Sequence, residues 1–311
     1  MTLASAPGKI ILFGEHAVVY GRPAIAVPVR QVRATAEVID LQQAAPSRIK
    51  LEAPDIRFSE WLHEAMDHPL PRIVQLCLGE LGATDFPSLR VRVTSTIPIA
   101  AGLGSGAAVS VAVARALGEH LGHPFPPERL SALALEVEQL HHGTPSGIDN
   151  TVVAFERPVY FVRGQPPSPF EIPTPFHVLI ADSGQPSPTA VAVGQVRQRW
   201  QADRGRNESL FDAIGQTTDK ARSAIETGRI EELGPLMDQN QVLLEALGVS
   251  TPALQGLLSA ARATGARGAK LSGAGLGGNM IALVDPEQAE AVEAALKQAG
   301  AIRTIRTEVG P

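Results

Sequence analysis

The sequence predicts an α+β protein built from two domains. Three observations support this prediction: the chain has 311 residues, its apolar residues follow strand-like and helical patterns in turn, and a proline-rich segment divides it. Length divided by about 150 gives two domains of ordinary size. The segment GQPPSPFEIPTPF (164–176) carries five prolines, a density that disfavours both helix and sheet. We therefore predict one domain over residues 1–170 and a second over residues 171–311.

The composition argues against several classes of protein. Hydrophobic residues make up 44% of the chain and charged residues 19%, which is enough to bury a core and unlike a disordered segment. The net charge of -5 and the 4% of aromatic residues argue against a nucleic-acid partner, which needs clustered basic residues or stacking aromatics. The single cysteine, Cys77, excludes an intrachain disulfide and an all-cysteine metal site.

The sequence also predicts a cytoplasmic protein with no membrane partner. Residues 1–21 lack the basic stretch and long apolar run of a signal peptide. No segment approaches the roughly 20 continuous apolar residues of a membrane span.

The order of predicted elements differs between the two halves of the chain. In the first half, apolar alternation and helical periodicity predict strands at 10–13, 24–29, 32–40 and 89–97 and helices at 59–81 and 128–142. In the second half, we predict a strand at 177–182, amphipathic helices to about 263, a strand at 279–284, a helix at 286–299 and a strand near 301–308. Strands mixed with helix pairs indicate an open α+β sandwich there.

The strongest local signal is a Gly-rich turn between the predicted strand at 89–97 and a helix of small residues. The turn reads Gly102-Leu103-Gly104-Ser105-Gly106-Ala107-Ala108. Its glycines let backbone N–H groups point into an anion site, and the helix N-terminus adds partial positive charge. The turn is neither a Walker loop nor a dinucleotide fingerprint. Taken alone it leaves two alternatives open, a phosphate cradle and a tight turn that binds no ligand.

Three other segments accompany this turn, and together they carry a family resemblance. They are Ala6-Pro7-Gly8-Lys9 followed by Gly14-Glu15-His16, then Pro145-Ser146-Gly147-Ile148-Asp149-Asn150, and finally the second Gly-rich loop at 270–278. In this order they resemble the GHMP kinases, a family of ATP-dependent kinases of small molecules such as galactose, homoserine, mevalonate and phosphomevalonate. The resemblance covers nearly the whole chain. Residues 5–21 and 142–150 are most similar to the members that phosphorylate mevalonate.

The resemblance, rather than the pattern of elements, implies a detailed fold and activity. It implies an N-terminal domain like the second domain of ribosomal protein S5, a C-terminal ferredoxin-like domain, and an active site in the cleft between them. The implied reaction is phosphorylation of the 5-hydroxyl of (R)-mevalonate, with ATP as co-substrate and Mg²⁺ as cofactor. A homodimer is also expected from the family.

Asp149 and Lys9 are the catalytic residues that the resemblance implies. Asp149 matches the family's catalytic aspartate, which accepts the proton of the substrate hydroxyl. The alternative for Asp149 is a turn-forming residue, because aspartate is common in turns. Lys9 would lie near Asp149 and the γ-phosphate and stabilise developing charge. Its alternative is a solvated surface lysine.

The same resemblance implies a set of residues that bind ATP and Mg²⁺. The ATP-binding residues are Ala100, Ala101, Gly102, Leu103, Gly104, Ser105, Gly106, Gly273 and Gly275. Glu138 matches the family's magnesium-binding glutamate, and one protein carboxylate suffices because Mg²⁺ completes its shell with phosphate and water. Helical geometry alone does not separate Glu138 from Glu136, since both flank the same apolar stripe.

The substrate side is expected at three residues. Glu15 and His16 match positions that contact polar groups of the substrate in the mevalonate-specific members. Thr189 matches a substrate-side threonine, and its alternative is the N-cap of the next helix.

Two departures from the family pattern affect phosphate handling. The position after Ser105 commonly carries a second serine whose hydroxyl contacts magnesium or phosphate, and here it is Gly106. The last motif usually has four consecutive glycines, which Leu276 interrupts here.

Three functions remain open at the level of sequence. The first is a kinase for mevalonate, and the second is another GHMP enzyme that acts on phosphomevalonate or a related alcohol. The third is a non-catalytic relative that binds ATP or a metabolite as a sensor, for which Gly106 would be the sign. His16 argues against the second, and the joint presence of Lys9, Glu138 and Asp149 argues against the third.

Overall fold

The computed structural model describes residues 1–41, 48–64, 68–82, 88–98, 101–142 and 146–310. These residues form two compact units, each assembled from separate stretches of chain. The first unit comprises Met1–Lys9, Val32–Pro98 and Gly104–Glu156, and the second Ile10–Gln31, Ile99–Leu103 and Arg157–Pro311. Residues 10–31 thus belong to the same compact unit as the C-terminal stretch, and the two consecutive domains expected from the sequence stay a prediction.

The first unit is a sheet with four helices. Its strands and helices are the start of β1 (Thr2–Phe13), the end of β2 (Ala24–Asp40), β3 (Ile49–Ala53), β4 (Phe58–Trp61), α1 (Pro69–Glu80), β5 (Leu89–Ser95), α2 (Ser105–His120), α3 (Pro127–His142) and α4 (Ile148–Phe155). The sheet order is β4-β3-β5-β2, and only the β3–β5 pair is parallel. Helix α2 packs against α1, α3, α4 and β5. Its alanines at 107, 108, 112, 114 and 116 are fully buried, and the helix of small residues predicted after the Gly-rich turn is confirmed.

The second unit contains the rest of β1 and β2 and most of the helical residues. Its further elements are β6 (Val159–Phe161), β7 (Ser168–Pro169), β8 (Phe176–Asp182), α5 (Thr189–Ala202), α6 (Arg204–Glu226), α7 (Leu233–Ala246), α8 (Pro252–Ala263), β9 (Gly268–Ser272), β10 (Asn279–Val284), α9 (Ala289–Gln298) and β11 (Arg303–Val309). Strands β6 and β7 extend the first half of β2, and a separate antiparallel sheet has the order β11-β8-β10-β9. Helices α7, α8 and α9 pack on this sheet.

Local sequence signals explain where several helices begin. The Thr251 hydroxyl accepts a hydrogen bond from the Leu254 N–H, and Pro252 occupies the first position of α8, a favourable start for a helix. Asp203 caps α6 in the same way. Helix α8 buries an apolar face against the four-stranded sheet, and α6 packs on α5 and α7. Both helices contribute to a core that includes Phe211, Leu244, Leu257, Leu271 and Met280.

The predicted helix at 59–81 is wrong in its first part. Phe58–Trp61 forms strand β4 and pairs with β3, and the helix begins only at Pro69. Proline is well tolerated in the first turn of a helix and poorly in its interior. Most other predicted elements of the second half are confirmed, and β10 has the predicted bounds. In the described part of the chain, no helix is long and apolar enough to cross a membrane.

The side chain of Glu293 joins α9 to β11, and this contact should make the stability of the protein depend on pH in the acid range. Its carboxylate accepts hydrogen bonds from Lys297, Thr304 and Arg306. The hydrogen bond from Lys297 makes the largest contribution to a pKa of Glu293 that is lowered to about 2. Burial opposes this shift, and the hydrogen bonds from Thr304 and Arg306 add to it. A lowered folded-state pKa stabilises the protein above the unfolded pKa, and this stability is lost as pH falls towards 2.

We expect Glu293→Gln to lower the Tm at pH 7 by roughly 2–4 °C, the shift that corresponds to about one hydrogen bond. The difference from wild type should shrink as the pH falls from about 4.5 towards 2, because the wild-type carboxyl is then protonated. Thermal unfolding followed by circular dichroism across this pH range measures it. The control is Glu290→Gln, an exposed position on the same helix. An equal effect of both substitutions would contradict a stabilising role of the hydrogen bonds that Glu293 accepts.

Candidate active site

Lys9 and Asp149, far apart in the sequence, form an ion pair inside the first unit. The Lys9 Nζ lies 2.8 Å from the Asp149 Oδ1. The Lys9 side chain is 4% exposed and that of Asp149 is 31% exposed. The ammonium is therefore held within the protein, whereas the carboxylate keeps a face that a ligand can reach. The structure thus brings the two predicted catalytic side chains together, and excludes the alternative of a solvated surface lysine.

Helix α4 holds Asp149 in place through its neighbours in sequence. Asp149 lies in the first turn of α4. The next residue, Asn150, is buried and donates hydrogen bonds to the carbonyl and hydroxyl of Ser131 on α3, at 3.0 and 2.8 Å. The Thr151 hydroxyl donates to the Gly147 carbonyl at 2.7 Å. Sequence reasoning missed the role of Asn150, although the Asp-Asn pair lies within the recognised motif.

Glu138 on α3 belongs to the same group of charges. Burial, together with the charge of Asp149, raises the pKa of Glu138 to about 8, and the charge of Lys9 opposes this shift. The neighbouring Glu136 is 43% exposed and approaches Arg129 at 3.9 Å. The structure therefore distinguishes two residues that helical periodicity left equivalent, since Glu138 shares the electrostatic environment of Lys9 and Asp149.

These residues fit a magnesium ion of the kind that the sequence predicts. Among the residues that the structure describes, no three His, Cys, Asp or Glu side chains cluster as a self-sufficient metal site. Mg²⁺ does not need such a cluster, because it uses one or two carboxylates and fills its shell with phosphate oxygens and water. The raised pKa of Glu138 marks a carboxyl that a nearby cation would favour in its ionised form.

The first Gly-rich loop approaches Lys9 directly. Gly104 has a φ of 71° and caps α2, and a Cβ atom at this position would lie 2.9 Å from the Lys9 Cγ. Glycine is thus required both by the left-handed backbone and by the close packing on Lys9. Ser105 begins α2, so its position beside the free N–H groups of the first turn agrees with the predicted phosphate cradle.

The remaining residues of this loop have different surroundings. Leu103 is buried, Gly102 is exposed, and the Ala101 carbonyl accepts a hydrogen bond from the Asn279 side chain. Ala100 lies outside the described residues. A Cβ atom at Gly106 would meet no atom within 4 Å. The described part of the chain therefore gives no steric reason for a glycine in place of the usual serine.

The second Gly-rich loop packs within the second unit. Gly275 has a φ of 72°, and a Cβ atom there would overlap the Val249 carbonyl oxygen. Leu276, which interrupts the glycines, has a φ of 59° and donates its N–H to the same carbonyl at 2.7 Å. A Cβ atom at Gly273 would meet nothing within 4 Å. Packing therefore accounts for the glycine at 275, while the space around Gly273 stays compatible with the predicted approach of a ligand.

The structure corrects the prediction that Glu15 contacts the substrate. Glu15 forms an ion pair with Lys270, and both side chains are 0% exposed. Its second carboxylate oxygen accepts a hydrogen bond from Asn240 at 3.2 Å. A carboxylate that is fully buried and bonded through both oxygens has no surface to offer a substrate. Sequence reasoning missed Lys270 as its partner, although Lys270 opens the last recognised motif.

His16 lies beside this buried pair, and Thr189 lies elsewhere in the second unit. The His16 Nε2 forms a 2.8 Å hydrogen bond with the Ala274 carbonyl. Burial, with a smaller contribution from the charge of Arg199, lowers the pKa of His16 to about 4 against the opposing effect of this hydrogen bond. Thr189 is the first residue of α5 and is exposed, and the N-cap is Pro188. The alternative role of Thr189 as an N-cap is therefore wrong, and substrate contact by His16 and Thr189 stays a prediction.

Comparisons with known proteins identify the family. The family model described as the GHMP kinases N terminal domain matches residues 70–157, and the one described as GHMP kinases C terminal matches residues 221–302. A curated mevalonate kinase of Pyrococcus horikoshii is 39% identical and aligns with 97% of this chain and 94% of its own. A mevalonate kinase of Pyrococcus furiosus is 36% identical, with 99% and 96% covered.

Solved structures show the same fold. The crystal structure of L. major mevalonate kinase in complex with R-mevalonate matches with a TM-score of 0.84 at 27% identity, covering 100% of this chain and 96% of that chain. Lactococcus lactis galactokinase matches with a TM-score of 0.79 at 18% identity, covering 99% and 93%. The first family model spans Glu138 and Asp149, and the relatives align over nearly their full length. The chain therefore belongs to the GHMP kinase family, with the two-domain α+β fold of that family.

Proposed function

We propose that this protein transfers the γ-phosphoryl group of ATP to the 5-hydroxyl of (R)-mevalonate and forms 5-phosphomevalonate. The observation that carries the proposal is the ion pair of Lys9 and Asp149, formed beside a glycine loop that packs on the lysine. The choice of mevalonate is supported by relatives named mevalonate kinase that are 36–39% identical over nearly the whole chain.

Asp149 would orient the attacking hydroxyl and accept its proton. Phosphoryl transfer depends mainly on positioning and on charge stabilisation, with little covalent chemistry for the protein. Asp149 suits this role because its carboxylate is partly exposed and its helix is fixed to α3. Lys9 would orient that carboxylate and place a positive charge beside the transferring phosphoryl group. Its own burial keeps this charge in a fixed position.

The phosphates of ATP would lie at the first Gly-rich loop and the start of α2. There the unpaired N–H groups of the first helical turn and the Ser105 hydroxyl are suited to bind phosphate oxygens. Glu138 would hold Mg²⁺, which when bound neutralises charge on the phosphate oxygens. Gly273 of the second loop would approach the same ligands, and His16 and Thr189 would contact mevalonate.

Other parts of the proposal concern the fold and the setting of the enzyme. Along the chain, the four-stranded sheet of the second unit has β8, then helices α5 to α8, then β9 and β10, then α9 and β11, and its spatial order is β11-β8-β10-β9. Apart from the extra helices after β8, this arrangement supports the ferredoxin-like assignment. The likeness of the first domain to ribosomal protein S5, the cleft as active site, a cytoplasmic location and a homodimer remain expectations from the resemblance.

The substrate assignment is tested by ADP release from the purified protein. We expect magnesium-dependent ADP release with (R)-mevalonate. With galactose, homoserine and phosphomevalonate, kcat/KM should be lower by a factor of at least ~10², because a site built for the polar groups of one substrate leaves some of its own polar groups unpaired with another substrate. A coupled assay across these alcohols measures it. Faster turnover of another alcohol would replace mevalonate as the substrate, and ATP binding without any turnover would favour the sensor.

Asp149→Asn tests the proposed base. The amide keeps the size of the side chain but does not accept a proton, so we expect kcat to fall by ~10²–10⁴-fold, the range of general-base catalysis. Steady-state kinetics and thermal unfolding measure activity and folding separately. The control is Asp212→Asn, which also removes a carboxylate 2.8 Å from a basic side chain, Arg22, but at a site 58% exposed. Near wild-type turnover of Asp149→Asn would exclude Asp149 from the mechanism.

Glu138→Gln tests the proposed magnesium ligand. We expect the Mg²⁺ concentration for half-maximal activity to rise by at least about tenfold, the loss typical even for residues behind the direct ligands. Folding should be preserved, because burial and the charge of Asp149 already favour the neutral form of Glu138 when no cation is bound. The matched control is Glu136→Gln on the same helix. An unchanged Mg²⁺ requirement in Glu138→Gln would contradict this role.

A further inference from the structure

Both members of the buried ion pair of Lys270 and Glu15 are held by further hydrogen bonds. The Lys270 Nζ contacts the Glu15 Oε1 and donates to the Leu271 carbonyl at 2.6 Å. The other oxygen of Glu15 accepts from Asn240. Burial lowers the pKa of Lys270, and the charge of Glu15 opposes this effect. Two buried charges are tolerated only with such partners, and removing one partner leaves the other charge uncompensated.

Two neighbours of Lys270 in the last motif also contact the first motif. The Ser272 hydroxyl accepts a hydrogen bond from the Ile11 N–H at 3.2 Å and donates to the Ile11 carbonyl at 2.8 Å. Side chains two apart on a strand face the same side, so Lys270 and Ser272 both face this segment. Next along the chain, the Ala274 carbonyl bonds the ring of His16. The two motifs are therefore joined at three successive points within the second unit.

The hydrogen bond to Ala274 determines where the proton of His16 lies. A backbone carbonyl only accepts hydrogen bonds, so the Nε2 atom must carry the proton. The low pKa of His16 makes the ring neutral at pH 7, and the Nδ1 atom is then an unprotonated acceptor. Among the residues that the structure describes, no hydrogen-bond partner of Nδ1 is found. His16 is 5% exposed, which restricts access to a group that fits closely.

The backbone of His16 needs support from its surroundings. His16 has a φ of 61°, a positive value that residues with a side chain rarely adopt. Such a conformation persists only when the surrounding structure fixes it. Glu15, the residue directly before His16, is the anchor, because both its oxygens are held from β9 and α7.

We propose that Lys270 is a positioning residue: its ion pair with Glu15 fixes the turn so that His16 presents Nδ1 to accept a hydrogen bond from a substrate hydroxyl. The identity of that substrate rests on the proposed function. For mevalonate, His16 then binds a hydroxyl group and not the carboxylate, because a neutral acceptor repels a second acceptor. Lys270 itself touches neither ATP nor substrate, since its side chain is 0% exposed.

The test replaces the pair by neutral groups of similar size. Lys270→Met alone leaves Glu15 buried without a counterion and is expected to destabilise the fold, so the informative variant is Lys270→Met/Glu15→Gln. In this double variant the amide oxygen introduced at position 15 can still accept a hydrogen bond from Asn240. The control is Arg229→Met/Glu232→Gln, which removes an ion pair with side chains 48% and 43% exposed.

Two measurements are made on each protein. The first is the tautomer of His16 at pH 7 from ¹⁵N NMR of the imidazole, with the signal assigned by its loss in His16→Gln. The second is the pair of KM values for mevalonate and ATP, with thermal unfolding to establish folding. We expect the Nε2–H tautomer in wild type and in the control, and a mixture of tautomers in the double variant. We also expect its KM for mevalonate to rise about tenfold, the effect of one hydrogen bond, with the KM for ATP unchanged.

Either of two results would overturn the proposal. The first is the finding that His16 carries its proton on Nδ1 in the wild-type protein. This result does not depend on whether any variant folds. The other is a folded double variant with the wild-type tautomer and the wild-type KM for mevalonate. The tautomer measurement uses no substrate, so it separates failure of this proposal from failure of the proposed function. If the ADP-release assay identifies another alcohol, the KM comparison is made with that alcohol.

Discussion

The ion pair between Lys9 and Asp149 is the interaction on which the candidate site depends. A buried ammonium needs a nearby opposite charge to stay ionised, and the Lys9 side chain is 4% exposed. The pair therefore constrains where α4 begins relative to β1. Gly104 lies so close to Lys9 in space that a Cβ atom at position 104 would collide with the lysine side chain. One electrostatic requirement thus fixes the lysine, the aspartate and the start of the glycine loop in the same small region of the first unit.

The same requirement explains the behaviour of Glu138. Lys9 is the basic group that opposes the raised pKa of Glu138, while Asp149 and burial both raise it. Two carboxylates that share one ammonium leave an excess of negative charge, which protonation or a cation can neutralise. Such an excess of negative charge is expected of a site that binds a magnesium ion together with a triphosphate. A purely structural salt bridge would be expected to balance its charges within the protein, as Lys270 and Glu15 do.

Much of the fold and part of the site follow from the sequence. Local signals predicted α3, β10 and the presence of amphipathic helices between residue 182 and about residue 263, because apolar periodicity lies within short windows of sequence. The helix predicted at 59–81 failed because Phe58–Trp61 pairs with β3, a contact that no local pattern records. The role of Glu15 failed for a related reason. Its motif indicates a site, but only the fold shows that Lys270 and Asn240 occupy both carboxylate oxygens.

The two buried lysines show which physical property separates a chemical role from a positioning role. Both Lys9 and Lys270 are paired with a carboxylate, and sequence motifs mark all four residues. The difference lies in the partner, since the side chain of Asp149 is 31% exposed and that of Glu15 is 0% exposed. A carboxylate must reach solvent or a ligand to exchange a proton with it. Asp149 meets this condition, so its pair with Lys9 can act on a substrate. Glu15 does not meet it, and its charge can act only through the conformation of His16.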